Sequence, residues 1–145
     1  MRVLGIDYGN SRIGLAITDM DKKICYPHKT VKAGKSFDES VKNILDAINQ
    51  FKDQIEMIVF GLPIHMNGKP SEMSRIIIKF IEFFRTKTAI AITSIDERLT
   101  SKMAERDLID NFKLNRKKRS LVIDPLAATI ILQNYLDRNS ILSDL

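Results

Sequence analysis

The residue with the most chemistry to offer is Asp7. It lies in Val3-Leu4-Gly5-Ile6-Asp7-Tyr8-Gly9-Asn10-Ser11-Arg12-Ile13-Gly14-Leu15-Ala16-Ile17-Thr18-Asp19. One apolar run delivers a carboxylate, a Gly-containing turn follows, and a second apolar run leads away. The first run reads as a buried strand and the second as its hairpin partner. An unpaired charge on a buried strand is costly, so a bound cation or a phosphate-handling site would explain it. The plain alternative is a turn residue bonding to backbone amides near Gly9.

Further acids stand where chemistry could join it. Asp96-Glu97-Arg98 ends an apolar run, and Asp124-Pro125 opens another. An all-oxygen carboxylate set suits Mg²⁺ or Mn²⁺ rather than zinc. Two such ions about 3.5–4 Å apart clamp the attacking and leaving oxygens in phosphodiester cleavage. Each acid also has a structural reading. Asp96 and Glu97 can pair with Arg98 or cap a helix starting near Thr100. Asp124 and Pro125 suit the N-cap and first position of a helix. Arg12 can hold a phosphate, or pair with Asp19 or Asp21.

The elements that must position these groups follow from the spacing of apolar residues. Strands are expected over 2–9, 12–19 and 24–32, with Pro27 marking the third as an edge or a bulge. Ser36 and Glu39 form a capping box before a helix with Phe37, Val41, Ile44, Leu45, Ile48 and Phe51 on one face. A short strand over 56–60 stops at Gly61-Leu62-Pro63. A loop over 64–70 leads to a helix capped at Ser71. A strand over 89–95, a helix from Thr100 or Ser101 to about 111, and a last helix over about 124–138 complete the chain. Short turns make the first strands antiparallel, and strand–helix–strand connections make the later ones parallel. The expected fold is an α/β mixed sheet with helices on both faces. Ligands in open α/β sheets gather at the carboxyl ends of parallel strands. Asp7, Gly61-Leu62-Pro63 and Asp96-Glu97-Arg98 all fall at such ends.

With 145 residues, the chain suits one domain over 1–145. A domain of that size buries roughly 68–70% of its unfolded surface. Hydrophobic residues make up 44% and charged residues 28%, an ordinary globular mix. Cys25 is the lone cysteine, which excludes a disulfide framework and fits a reducing cytoplasm. No signal peptide is expected before the first strand, and no apolar run is long enough to span a membrane. Twenty-three Lys and Arg against 18 Asp and Glu give a net charge of +5, which favours acidic partners. Much of that excess lies in Lys113-Leu114-Asn115-Arg116-Lys117-Lys118-Arg119, read as a solvated loop or a phosphate-backbone contact. His28 and His65 are too isolated to argue for a metal.

Four separated blocks resemble the YqgF (RuvX) family of the ribonuclease H-like superfamily. They are Gly5-Ile6-Asp7-Tyr8-Gly9 with Arg12, Gly14 and Ala16; Gly61-Leu62-Pro63 with Met66, Asn67 and Gly68; Asp96-Glu97-Arg98-Leu99-Thr100-Ser101; and Asp124 with Ala127, Ala128, Ile131, Leu132, Gln133, Tyr135 and Leu136. The resemblance implies a ribonuclease H-like fold and metal-dependent hydrolysis of nucleic-acid phosphodiesters. It maps catalytic carboxylates onto Asp7, the Asp96-Glu97 pair and Asp124. Glu97 is the expected second metal ligand and Asp96 its substitute. Arg12, Arg98, Arg116, Lys117, Lys118 and Arg119 are expected to hold the nucleic acid. The implied substrates are a pre-16S rRNA 5′ end, in ribosome biogenesis and possible contact with ribosomal particles, or a branched DNA junction. Junction resolution favours a homodimer, whereas RNA trimming suits a monomer. Two competing readings are an actin-like nucleotide-binding domain and a non-catalytic nucleic-acid or ribosome-binding protein.

Overall fold

The computed structural model describes residues 1–63, 68–69, 71–96 and 116–143, with side-chain surroundings in the last helix given for 125–139. Its elements are β1 (Arg2–Tyr8), β2 (Arg12–Thr18), β3 (Cys25–Lys32), α1 (Phe37–Ala47), a 3₁₀ turn (Asn49–Phe51), β4 (Ile55–Leu62), α2 (Glu72–Arg85), β5 (Ala91–Asp96) and α3 (Arg116–Ser143). The sheet order is β3-β2-β1-β4-β5. β1, β2 and β3 pair antiparallel, and β1–β4 and β4–β5 pair parallel. This is the expected mixed sheet. Among the described residues no helix is long and apolar enough to cross a membrane.

Alternation along the strands divides the core between two faces. On one face Leu4, Ile6, Ile13, Leu15, Ile58 and Phe60 pack against α1 and α2. Phe60, Phe80 and Phe84 form an aromatic cluster there, with ring centroids 5.8–6.4 Å apart and near-perpendicular planes. On the other face Val3, Ala16, Val59 and Ile95 pack against Ala128, Ile131 and Leu132 of α3.

The caps anticipated from sequence are made. Ser36 Oγ accepts the Glu39 amide at 3.2 Å, and Ser71 Oγ accepts the Ser74 amide at 3.0 Å. The Ser71 hydroxyl also donates to the Pro63 carbonyl, which fastens the start of α2 to the end of β4. Pro27 sits on edge strand β3, and the ladder shifts register between Leu15 and Ala16, so both features expected from the proline are present.

Three expectations are corrected. β4 continues through Gly61 and Leu62, because both extend the parallel ladder to Ile95 and Asp96. Asp124 is not a helix cap: α3 begins at Arg116 and carries Pro125 within it. Packing of Ala128, Ile131 and Leu132 on the sheet offsets a proline's lost hydrogen bond, a case of tertiary contacts overriding local propensity. The Thr129 hydroxyl donates to the Pro125 carbonyl at 2.7 Å, one turn back. For the same reason Arg116, Lys117, Lys118 and Arg119 lie in the first turn of α3 rather than in a loop. The helix expected near 100–111 lies outside the described residues.

Candidate active site

Asp7 lies in β1, opposite Gly14 of β2. It is a half-buried strand residue, not a turn residue. The amide of Gly9 donates to the Arg12 carbonyl at 3.0 Å and closes the hairpin. By alternation Asp7 shares the α3 face with Val3 and Gly5. Its neighbour on β2 is a glycine, and on β4 the ladder pairs Ile6 with Phe60, which brings Gly61 level with Asp7. The sheet floor on both sides of the carboxylate is therefore free of side chains. This feature of Gly14 and Gly61 is invisible before the register is known, because they lie far apart in sequence.

The course of α3 is fixed by its contacts. Tyr135 packs in the cluster that contains Val3 and Cys25. Cys25 pairs with Thr18, whose Oγ1 accepts the Val3 amide at 2.9 Å. Ala128 and Leu132 lie over Gly5: a Cβ there would stand 2.8 Å from the Ala128 carbonyl oxygen and 2.9 Å from Leu132 Cβ. Moving back along α3 from Tyr135 to Ala128 thus moves forward along β1 from Val3 to Gly5. Asp124 is one turn further back, about 6 Å along the helix. Asp7 is two residues further forward, about 7 Å along the strand. The backbone at Asp124 therefore heads for the Asp7 end of the sheet, on the same face.

Asp96 ends β5 and pairs with Leu62. Leu62 packs with the α1–α2 core, so the ladder places Asp96 on the face opposite Asp7. β5 also lies two strand spacings from β1, about 10 Å. Glu97 and Arg98 fall outside the described residues, as does the Asp124 side chain. Among the described residues no three His, Cys, Asp or Glu side chains gather to hold a metal.

Arg12 is exposed at the start of β2, on the Asp7 face. Pairing with Asp19 is excluded. Asp19 follows the far end of β2, where its carboxylate accepts the Lys23 and Ile24 amides at 2.8 and 3.0 Å. Those bonds hold its pKa below the usual carboxylate value.

The soft donors are placed elsewhere. The His28 ring bonds the Ala47 carbonyl at 2.7 Å and stacks edge-on against Phe51. Burial pushes the Cys25 thiol up from 9.0 to about 11, with Asp137 and Asp19 adding to the rise. Between those values the folded chain keeps a proton that the unfolded chain releases, so stability falls as pH climbs through that window. At neutral pH Cys25 should alkylate far more slowly than free cysteine, because the thiolate is the nucleophile. Iodoacetamide labelling of native and urea-unfolded protein checks this. Equal rates in the two would contradict the placement.

A family model described as "RuvX: Holliday junction resolvase" matches residues 1–138. The chain belongs to the RuvX family. A protein of Caldanaerobacter subterraneus with the provisional name pre-16S rRNA nuclease is 45% identical over 137 residues, covering 94% of this chain and 96% of the relative. One of Protochlamydia amoebophila with the same provisional name is 44% identical, covering 94% and 93%. Among solved structures, RuvC of T. thermophilus in complex with a Holliday junction substrate matches with a TM-score of 0.52 at 17% identity, covering 90% of this chain and 91% of that one. That likeness shows the ribonuclease H-like fold. Family and fold together support a RuvX nuclease acting on nucleic acid.

Proposed function

We propose that the chain is a metal-dependent nuclease that trims the 5′ end of pre-16S rRNA, with Asp7, Glu97 and Asp124 as its carboxylates. The observation that carries this reading is the antiparallel course of α3 over β1, which directs the helix bearing Asp124 toward the Asp7 end on one face. The provisional names of the relatives favour ribosomal RNA. Glu97 is preferred to Asp96 because Asp96 alternates onto the opposite face.

The donor set fits Mg²⁺ or Mn²⁺. Carboxylate oxygens suit hard cations, while His28 and the protonated Cys25 are committed elsewhere. Asp7, Glu97 and Asp124 would hold the ion, which when bound supplies an activated water and charge neutralisation at the phosphate. The carboxylates fix where the phosphodiester can approach. Gly14 and Gly61 put no side chain of their own beside Asp7. Arg12 and Arg98 neutralise neighbouring phosphates, and Arg116, Lys117, Lys118 and Arg119 extend that contact along the strand. The reaction is placed in the cytoplasm, on RNA free or within a ribosomal particle, and a monomer suffices for it.

A second reading is cleavage of branched DNA, favoured by the family description and the fold shared with RuvC. Labelled pre-16S 5′-end RNA and a four-way DNA junction, incubated side by side with Mg²⁺ or Mn²⁺, separate the two. Metal-dependent RNA trimming is expected. Junction cleavage alone would replace the RNA reading, and binding without cleavage of either would remove the nuclease assignment.

A further inference from the structure

Edge strand β3 changes face part-way along its length. Cys25 pairs with Thr18 and Pro27 with Ala16, on the α3 face. Strict alternation would next put Lys29 and Val31 there. Instead the ladder resumes as Lys29↔Leu15, Thr30↔Gly14 and Lys32↔Arg12, leaving His28 as the extra residue of a bulge. Such bulges re-aim side chains and are over-represented beside active sites. Pro27 favours the break, since it has no amide to give the ladder. The bond from His28 to the Ala47 carbonyl and its contact with Phe51 anchor the bulge on α1.

The bulge turns Thr30 and Lys32 onto the face that carries Asp7. Asp7, Gly14 and Thr30 form one row across β1, β2 and β3, and Arg12 and Lys32 form the next row on that face. The Ala33 amide donates to the Ser11 carbonyl at 3.0 Å, so the register holds to the tip of the hairpin. Thr30 and Lys32 are both exposed.

Lysines on an edge strand can serve only to deter edge-to-edge association. Lys29, on the other face, fits that role. Lys32 is different: it stands directly across from Arg12, on the face that carries Asp7. A phosphate held at Arg12 would lie beside the Lys32 ammonium as well.

We propose that Lys32, assisted by the Thr30 hydroxyl, is a substrate-positioning residue that holds a backbone phosphate of the nucleic acid beside the one at Asp7. This rests on the nuclease reading for its substrate but uses residues of β3 to which that reading gives no role.

The test compares Lys32→Ala with Lys29→Ala in the full chain, using the pre-16S 5′-end RNA and the four-way junction as probes. Binding is titrated against salt without divalent metal, and cleavage is measured separately with it. Lys32→Ala should weaken binding about fivefold at low salt and lower the slope of log K against log salt by about 0.7–0.9, one phosphate contact. KM should rise with kcat unchanged, and the melting temperature should hold, because Lys32 is exposed. Lys29→Ala should leave binding and its salt slope alone. Equal effects of the two variants on the salt slope, whether both silent or both reduced, would overturn the proposal. If neither probe is cleaved by the wild type, the nuclease reading fails, while the salt slopes still decide the role of Lys32.

Discussion

Asp7→Asn is expected to lower cleavage by about a thousandfold or more while the protein stays folded. Asparagine keeps the shape of the side chain and some of its hydrogen bonding, but it cannot supply the charge that holds a divalent cation. No apolar packing is lost, because the neighbours of Asp7 across the sheet are Gly14 and, one strand over on β4, Gly61. The variant should unfold in one cooperative transition, as the wild type does. Removing a negative charge beside the phosphate path should leave nucleic-acid binding as tight as in the wild type, or tighter. The measurement is single-turnover cleavage with binding and thermal unfolding on the same preparations. Turnover within about twofold of wild type would remove Asp7 from the chemistry.

Gly5→Ala tests the other half of the arrangement. The added Cβ would meet the Ala128 carbonyl and Leu132 Cβ at under 3 Å, and neither is the far end of a flexible side chain. The helix must lift or slide, and overpacking of this kind costs about 1–3 kcal/mol. For a chain of this length that corresponds to a fall in melting temperature of ~3–12 °C. Cleavage should drop as well, below what the unfolded fraction accounts for, because the shifted helix is the one carrying Asp124. The pairing of the two variants is informative: Asp7→Asn leaves a stable inactive protein, and Gly5→Ala a less stable one with displaced chemistry. A Gly5→Ala protein that melts with the wild type would show that α3 does not rest on Gly5 as described.

The sheet was legible in the sequence because its strands are short apolar runs punctuated by glycine and proline, and its first two helices because Ser36 and Ser71 announce them. Three of the family blocks open within strands, and the fourth lies in α3. What could not be read were relations between residues distant along the chain. The Asp124-Pro125 pair carries a strong local signal for a helix start, yet the helix runs through it from Arg116, and beyond the proline Ala128, Ile131 and Leu132 pack on the sheet. The sequence already preferred Glu97 to Asp96 by resemblance, but the face taken by Asp96 emerged only with the β4–β5 register, which pairs it with Leu62. Pro27 announced a bulge, but only the ladder revealed that the bulge brings Lys32 round to the face of Asp7.

The antiparallel course of α3 has a consequence for when the protein becomes competent. On the proposed assignment, two of its metal-holding carboxylates come from residues 7 and 124, at opposite ends of the described chain. Synthesis proceeds from the N-terminus, and pairing of distant segments is slow compared with local structure. The hairpin of β1 and β2 can form early, with Asp7 already in place, but it then lacks the helix that covers Val3 and Gly5. A nascent chain still attached to the translating ribosome, with α3 held in the exit tunnel, would carry a sheet without a complete catalytic set. Competence to cut RNA would thus arise only once α3 has emerged and packed over β1.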